Sequence, residues 1–320
     1  MAKLQLVAGS SHPILAAEIA RILKTPLTSV EDKSFANGEI YVRIREKVRG
    51  NDVFLIQTIG EPVNDRLMET LILIDALKRS SAGRINLICP HIAYSRQDRK
   101  VTSREPITAK LVANLITKAG ADRLITVDLH ADQIQGFYDI PVDHFVGYPL
   151  LAKYLKKKGL LKNAVIVSPD IGGTKRANKL ADLFGLKIAI IDKVRREHNQ
   201  AEVAHVVGEV DGKRAIIIDD MIDTGGSICA AAEVLKKFGA KEVVVCATHA
   251  LLSGNARERF DESCVDKLIL TDTLPIAENK ISKKMEIISV APLLAKIIKR
   301  IHNERSLGEL FTWEDKKQRL

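Results

Sequence analysis

Aromatic residues, paired cysteines and long apolar runs are all scarce in this 320-residue sequence. Aromatics at 4% are too few for the stacking residues expected of a single-strand nucleic-acid binder. No apolar run approaches a membrane span, and the first residues lack the apolar stretch of a secretion signal. The absence of CxxC spacing favours buried thiols over disulfides or zinc ligands for Cys89, Cys229, Cys246 and Cys264. We therefore expect a cytoplasmic protein with no membrane or nucleic-acid partner.

The charge balance points to small anionic ligands. A net charge of +9 could serve nucleic acid, an acidic membrane surface or phosphorylated small molecules. The densest lysine cluster, KYLKKKGLLK from Lys153, falls at a predicted helix end, where a solvated face is the simplest interpretation. Because aromatics are few, phosphorylated small molecules explain the charge best.

Short apolar runs alternate with amphipathic helical stretches, which predicts an α/β fold of mainly parallel sheets flanked by helices. The predicted strands are LQLVAG, DVFLIQT, RINLICP, DRLITVD, NAVIVSPD, KIAIID, RAIIIDD and KEVVVCAT. Two stretches have helical spacing, RLMETLILIDALKR and SREPITAKLVANLITKAG. The second opens near Pro106 and closes on Gly120, as helices commonly do.

Two pairs of segments suggest an internal duplication. LITVDLHADQIQG matches AIIIDDMIDTGGS with Asp128 over Asp219, and LICPHIAYSRQ resembles VIVSPDIGGTK. Matches of this kind also arise between unrelated αβ units, so a duplication remains a hypothesis. It predicts two similar lobes, with domains at 1–144 and 145–304 and with residues 305–320 packing back on the first.

The segment IIIDDMIDTGGSI has the chemistry of a phosphate and sugar site. Glycines let the backbone approach an anion, and amides at a helix start point toward phosphate. The paired aspartates suit ribose hydroxyls, or a metal carried by pyrophosphate. The alternative is a structural βα turn, although paired acids beside TGGS would be unusual without a ligand. The candidate ligand set is Asp219, Asp220, Asp223, Thr224, Gly225, Gly226 and Ser227.

Further acidic residues and a histidine come after other predicted strands. Asp128 and His130 come after one strand and Asp170 after another. Since the carboxyl ends of parallel strands share an edge, these three side chains could converge on one cleft. His91 has a similar setting but no matching role, and we interpret it as structural.

At these residues the sequence resembles a known family. IIIDDMIDTGGSI is similar to the phosphoribosyl pyrophosphate loop of type I phosphoribosyltransferases and of the class I phosphoribosyl pyrophosphate synthetases. Other segments resemble the synthetases alone: SRQDRKVTSREPITAK, VDLHADQIQGFYDIPVDH, VSPDIGGTKRA, IDKVRRE, GSSHP and SFANGEIYVRI. The resemblance runs over nearly the whole chain. It implies phosphoribosyltransferase-like lobes that transfer the β,γ-pyrophosphoryl group of Mg-ATP to ribose 5-phosphate, giving phosphoribosyl pyrophosphate and AMP.

The resemblance also implies residues for catalysis and metal binding. Lys193 and Arg195 would donate to the transferring phosphoryl oxygens and the leaving phosphate. Without the resemblance, a charged solvated loop would be the better interpretation of DKVRR. Mg²⁺ would bind His130 and Asp170, with Asp128 beside them, although histidine is an unusual ligand for so hard a cation.

ATP would be held by two groups of residues. Arg96, Gln97 and His130 would contact the phosphates and the adenine edge. By resemblance, a second group reaches the nucleotide from a neighbouring subunit, and it comprises Phe35, Asn37 and Glu39. A homo-oligomer is therefore implied, in the family a hexamer built from dimers, although SFANGE taken alone would be only a turn.

An anion-binding regulatory site is a further expectation from the resemblance. The matching cluster consists of Arg49, Ser81, Lys100, Ser103 and Arg104. The sequence departs from the family pattern at Lys47 and Gly308, where hydroxyl residues are usual. If YVRIREKV is extended, Lys47 shares a strand face with Arg49 and could occupy the place of the anion. This predicts weak dependence on phosphate and weak allosteric inhibition by ADP.

Other functions compete with this assignment. A type I phosphoribosyltransferase would share the loop but should have one lobe and no ATP segment. A non-catalytic regulatory subunit should have lost active-site residues or gained insertions, and the sequence shows neither. Nucleic-acid binding rests only on net charge.

Overall fold

The computed structural model describes residues 2–194 and 203–311. Contacts divide the chain into two compact units. The first holds the chain up to Val146 together with Thr273–Pro275 and the segment from Ser289, and the second holds Gly147–Asp272 and Ile276–Ile288.

The first unit is built on a five-stranded parallel sheet with strand order β1-β4-β5-β6-β7. These strands are β1 (Leu4–Ala8), β4 (Asp52–Ile56), β5 (Arg84–Ile88), β6 (Arg123–Val127) and β7 (Val142–Phe145). A separate antiparallel hairpin is formed by β2 (Val30–Ser34) and β3 (Ile40–Ile44). The helices of this unit are α1 (Pro13–Leu23), α2 (Val63–Arg79), α3 (Thr108–Ala119), α8 (Ala291–His302) and the short α9 (Gly308–Phe311), with a 3₁₀ helix at Asp132–Phe137.

The second unit is built on a seven-stranded sheet with strand order β10-β9-β8-β11-β12-β13-β14, parallel except at β10. Its strands are β8 (Ala164–Ser168), β9 (Ile188–Val194), β10 (Val203–Val207), β11 (Arg214–Ile222), β12 (Glu242–Ala250), β13 (Lys267–Thr271) and β14 (Met285–Ile288). Its helices are α4 (Tyr148–Lys157), α5 (Thr174–Phe184), α6 (Gly226–Lys237) and α7 (Ala256–Glu262), with a 3₁₀ turn at Glu278–Lys280. The strand order reverses between β8 and β11, and ligands of such sheets commonly bind where the order reverses.

Burial explains why these segments become strands and helices. All five residues of β4 are buried, as expected for a strand covered on both faces. Helix α3 buries residues at helical spacing, and Gly120 closes it with φ 118 in the left-handed region. The eight strands and two helices predicted from the sequence are confirmed.

Helix α8 belongs to the first unit, whereas the sequence prediction assigns residues 145–304 to the second domain. The segment just before α8 is hydrogen-bonded to α1, because Ser289 Oγ donates to Glu18 Oε2 at 2.8 Å. Its last residue, His302, lies with Nδ1 2.8 Å from Asp52 Oδ2 at the start of β4. These are contacts between distant parts of the chain, which local patterns do not encode.

The thiols agree with the expectation from the cysteine spacing. Cys89, Cys229 and Cys246 are buried, Cys264 is half-buried, and all four are free. Across the described ranges no helix is both long and apolar enough to cross a membrane.

Candidate active site

The loop between β11 and α6 is shaped for an anion. Helix α6 starts at Gly226 without a side-chain cap, and its first internal hydrogen bond runs from Cys229 N to Gly225 O. The amides of its first turn are therefore not used by the helix itself. Thr224 and Ser227 are exposed on either side of the two glycines. A phosphate could bind at this helix start, as the sequence predicts.

Gly225 cannot be replaced without disturbing the loop. Its φ of 75 lies in the left-handed region that side chains rarely adopt. An added Cβ would also lie 2.7 Å from Cε2 of Phe260 in α7. The same helix holds the loop from outside, because Arg259 Nη1 donates to Thr224 O at 2.6 Å. The loop is thus fixed by packing against α7, a feature that the sequence did not predict.

The paired aspartates in the last part of β11 share one cation. Arg176 Nη1, from helix α5, lies 3.1 Å from Asp219 Oδ1 and 3.2 Å from Asp220 Oδ1. Burial, and then the neighbouring carboxylate, raise the pKa of Asp219 to about 7, with the arginine opposing them. Arg176 was missed from the sequence, although it lies in the quoted VSPDIGGTKRA segment. Its signal is the placement of a basic residue on the helix of the adjacent βα unit.

A second loop, after β8, lies beside the point where the strand order reverses. Ser168 Oγ donates to Asp170 O at 2.6 Å, and Asp170 Oδ1 accepts from Gly173 N at 2.8 Å. A Cβ on Gly173 would lie 2.8 Å from Ser168 Oγ, so a side chain there would displace the hydroxyl that bonds to Asp170 O. Asp170 is exposed. Since β8 and β11 pair in parallel, this loop and the aspartate pair leave the same edge of one sheet.

Asp128 and His130 come directly after β6 of the first unit. Asp128 is 8% exposed and has φ 43, an unfavourable conformation for a residue with a side chain. Its amide donates to Phe145 O of β7 at 2.7 Å. The expectation that Asp128, His130 and Asp170 share the edge of one sheet is wrong, because β6 and β8 belong to different sheets. A one-dimensional pattern does not distinguish one long sheet from two.

The fit of these residues to Mg²⁺ is uneven. Exposed Asp170 keeps one carboxylate oxygen beyond the one that accepts from Gly173, and carboxylate oxygens suit a hard cation. Asp128 is nearly buried, and His130 offers nitrogen rather than oxygen. Within residues 2–194 and 203–311, no three histidine, cysteine or acidic side chains come together as a ready ligand set.

Arg96 and Gln97 lie in the turn that precedes α3, and both are exposed. Gln97 is fixed there, because Thr108 Oγ1 donates to its Oε1 at 2.6 Å and Ala109 N donates to its carbonyl at 3.2 Å. The next residue joins this turn to the 3₁₀ helix after His130, since Gln133 Nε2 donates to Asp98 Oδ2 at 3.0 Å. The structure therefore links the two segments of the first unit that the sequence assigns to ATP.

The residues expected to contact the nucleotide of a neighbouring subunit lie in the turn of the β2–β3 hairpin. The Phe35 ring is 50% exposed and meets Tyr41 edge-on at 5.9 Å between ring centroids. Asn37 Oδ1 accepts from Glu39 N at 3.1 Å, which closes the turn. An exposed aromatic face beside polar groups suits a nucleobase, as the sequence predicts for this segment.

The candidate catalytic pair is only partly described. Lys193 lies on β9, opposite Ala204 of β10. Arg195 lies outside the described residues.

The candidate regulatory cluster is brought together in part. Gly50 N donates to Ser81 O at 2.8 Å and Arg49 pairs with Ala82, so the segments that carry Arg49 and Ser81 are adjacent. Lys100, Ser103 and Arg104 lie in an exposed turn that Glu105 closes by accepting from Val101 N and Thr102 N.

The premise that Lys47 lies on an extended strand is wrong, because β3 ends at Ile44. Glu46 instead turns back toward Ser29, whose amide donates a hydrogen bond to Glu46 Oε1 at 2.7 Å. Gly308, the other departure from the pattern, begins α9.

Comparisons with known proteins identify the family of this chain. Residues 4–120 match the model for the N-terminal domain of ribose phosphate pyrophosphokinase, and residues 198–312 match the phosphoribosyl synthetase-associated domain. The chain is 51% identical to a ribose-phosphate pyrophosphokinase of Clostridium perfringens over 96% of this chain and 97% of that one. It is 52% identical to one of Caldanaerobacter subterraneus subsp. tengcongensis, over 97% and 98% of the two chains.

A solved structure is also similar over nearly its whole length. The crystal structure of phosphoribosylpyrophosphate synthetase from Mycobacterium smegmatis has a TM-score of 0.90 and 47% identity, covering 94% of this chain and 99% of that one. The similarity in sequence and in fold therefore extends over nearly the whole chain. The chain belongs to the ribose-phosphate pyrophosphokinase family.

Proposed function

We propose that this protein is a ribose-phosphate diphosphokinase, which transfers the β,γ-pyrophosphoryl group of ATP to the anomeric hydroxyl of ribose 5-phosphate. The observation that carries the proposal is the similarity to ribose-phosphate pyrophosphokinases over nearly the whole chain, because a type I phosphoribosyltransferase would share the β11–α6 loop. In that loop paired carboxylates stand beside an uncapped helix start. In the reaction the hydroxyl oxygen bonds to the β-phosphorus, the bond from that phosphorus to the AMP oxygen breaks, and the hydroxyl proton is lost.

Two kinds of group bind the two parts of the sugar phosphate: hydrogen-bond donors bind its phosphate and carboxylates bind its ribose hydroxyls. The first-turn amides of α6 and the hydroxyls of Thr224 and Ser227 donate to the 5-phosphate. Asp219 and Asp220 accept from ribose hydroxyls, which is the role open to carboxylates beside a sugar. Arg176 lies against both carboxylates and reduces their mutual repulsion before the sugar binds.

The nucleotide is assigned to the first unit and to a neighbouring subunit. Arg96, Gln97 and His130 contact ATP within one chain, and Phe35, with Asn37 and Glu39 beside it, contacts the base from another chain. The exposed ring of Phe35 supports this role, because stacking requires an open aromatic face. The active species is then a homo-oligomer, a hexamer built from dimers.

Charge stabilisation is assigned to Lys193 and Arg195, which donate to the phosphoryl oxygens as charge develops on them. When bound, Mg²⁺ neutralises part of the charge of the triphosphate. The residues assigned to it are Asp128, His130 and Asp170. The two units of the fold would be phosphoribosyltransferase-like domains in a cytoplasmic enzyme, with helix α8 in the first unit rather than in the second.

The decisive measurement is production of AMP from Mg-ATP with and without ribose 5-phosphate. Strict dependence on the sugar phosphate supports the proposal. A type I phosphoribosyltransferase would make no AMP from this pair of substrates, so a lack of AMP with folded protein would contradict the assignment.

Sharing of the site between subunits has its own test. Chains with Lys193→Ala and chains with Glu39→Ala should each be inactive alone, yet regain some activity when mixed under exchange conditions. Mixed oligomers that are verified but inactive would mean that each chain builds its own site.

Regulation by anions remains a separate proposal, that phosphate activates weakly and that ADP inhibits weakly outside the ATP site. Since Lys47 is not on a strand with Arg49, the proposal rests on its charge and bulk alone. Rate should be measured against phosphate concentration, with ADP added at saturating ATP. Strong phosphate dependence with non-competitive inhibition by ADP would contradict it.

A further inference from the structure

The turn after β6 is held in place by one side chain of the neighbouring strand. Leu129 lies between Asp128 and His130, and its amide donates to Nε2 of His144 at 2.9 Å. His144 is in β7, where it pairs in register with Thr126 of β6. Its side chain is 9% exposed, so this acceptor is largely shielded from water.

The geometry also fixes which nitrogen of His144 carries the proton. An Nε2 atom that accepts a hydrogen bond must be unprotonated, so in the neutral ring the proton is on Nδ1. Asp132 Oδ1 lies 4.0 Å from that nitrogen and favours a proton there. Asp132 begins the 3₁₀ helix just beyond His130. One nitrogen of His144 thus faces Leu129 and the other faces Asp132, on either side of His130 in the chain.

The turn needs such support because its backbone is unfavourable. Asp128 has φ 43, and a non-glycine residue stays in this region only when its surroundings hold it there. Two amides secure it from β7: Asp128 N bonds to the carbonyl of Phe145, and Leu129 N bonds to the ring of His144. Any side chain leaves the first bond intact, whereas the second depends on the identity of residue 144.

We propose that His144 is a positioning residue for the nucleotide half of the reaction. It fixes the backbone between Asp128 and His130, and through that backbone it sets where both side chains point. It contacts neither substrate. The inference rests on the proposed function, which assigns Asp128 and His130 to Mg-ATP.

The test uses two replacements that differ in one property. His144→Leu keeps an apolar body of similar size but removes the acceptor. His144→Gln keeps an oxygen acceptor near the place of Nε2. Val142→Ala, two residues earlier on the same strand, is the matched control, because it weakens the packing of β7 without touching the amide of Leu129.

We expect His144→Leu to raise the Michaelis constant for Mg-ATP roughly three- to tenfold, the effect of one net hydrogen bond, and to leave that for ribose 5-phosphate near its wild-type value. His144→Gln should restore most of the loss. Hydrogen exchange in a peptide spanning residues 127–133 should be faster in the leucine variant and slower again in the glutamine variant. Val142→Ala should lower the melting temperature without separating the two Michaelis constants.

The outcomes separate this inference from the proposed function. Equal behaviour of the leucine and glutamine variants, or a change that tracks melting temperature alone, would overturn the positioning role while wild-type AMP production stands. If wild-type protein makes no AMP from the two substrates, the proposed function fails first. The exchange measurement then still decides whether His144 holds the turn, because it needs no substrate.

Discussion

Strands β6 of the first unit and β11 of the second carry matching sequence patterns, with an apolar run that ends in aspartate. They leave their sheets differently. Strand β6 ends at Val127, and Asp128 turns at once into the left-handed region. Strand β11 continues through Asp219 to Ile222, because β12 is long enough to pair with it as far as Ala250.

The segments after these two strands differ in the same way. After β6 the chain forms a 3₁₀ helix at Asp132–Phe137, which offers no helix start to an anion. After β11 the residues TGGS lead into the uncapped α6. The strand order reverses beside β11 but not in the first sheet. The comparison teaches that one strand-end pattern can lead to two different backbone structures, of which only the one after β11 offers the start of an α-helix to an anion.

The largest expected effect lies outside both strand ends. Lys193→Ala should lower turnover about a hundredfold or more, because it removes a donor that acts as charge develops. Binding of Mg-ATP should change much less. Titration of ATP binding beside steady-state kinetics checks this, and an unchanged turnover would remove Lys193 from the mechanism.

Glycine should matter at only one of the two strand ends. Gly225→Ala forces a side chain into a left-handed residue and against Phe260, so catalytic efficiency with ribose 5-phosphate should fall at least about tenfold. Gly136→Ala, in the 3₁₀ helix after β6, meets nothing within 4 Å and is the control. Similar losses of catalytic efficiency in both variants would show that the two strand ends do not differ in their need for glycine.

The aspartates should separate the two substrates. Asp220→Ala is expected to raise the Michaelis constant for ribose 5-phosphate several-fold to about tenfold, with a smaller change for ATP. Asp128→Ala should do the opposite. Thr224→Ala should behave like Asp220→Ala, since both residues are assigned to the sugar phosphate. Equal effects of one variant on both substrates would argue against the division.

The smallest expected effect is on stability against pH. The pKa of Asp219 is raised to about 7 in the folded protein from an unfolded value of 3.8. Between these values the folded state holds a proton that the unfolded state lacks, so this contribution to stability is lost as pH rises through the window. Asp219→Asn should therefore reduce the drop in melting temperature between about pH 5 and pH 8.

The matched variant for this measurement has the opposite sign. Arg176→Gln removes the cation that opposes the raised pKa, and it should enlarge the drop in melting temperature. If neither variant changes the drop, Asp219 is not the group that titrates.

Much of the fold was predictable because burial imposes local patterns. The apolar strands in the middle of both sheets, and helices α2 and α3, have the periodicity of elements covered on one or both faces. Strands β7, β10 and β14 were not predicted, because each lies at the edge of a sheet and carries a weaker pattern. Strand β13 was also not predicted, although it is as long and as buried as β5 and β6, so burial does not explain its omission. The hairpin β2–β3 was read only as a turn, since most of its residues are partly or fully exposed.

The residues of the candidate site also fall into those that a local sequence pattern predicted and those that it did not. Asp219 to Ser227 were predicted as a group, because one short segment contains the strand end, the acids and the helix start. Arg176, Phe260 and His144 act on residues far away in sequence, and no local pattern connects them.

The sequence by itself determined the α/β class, the βα loop that carries TGGS and the family, because each depends on residues that are neighbours in the chain. Only the tertiary structure decided that Asp128 and Asp170 leave different sheets, that Arg176 pairs with the two aspartates, and that His144 holds the turn of Asp128. The physical reason is that strand order and side-chain contacts between elements are set by packing the whole chain. Residues can meet there although tens of residues separate them in the sequence.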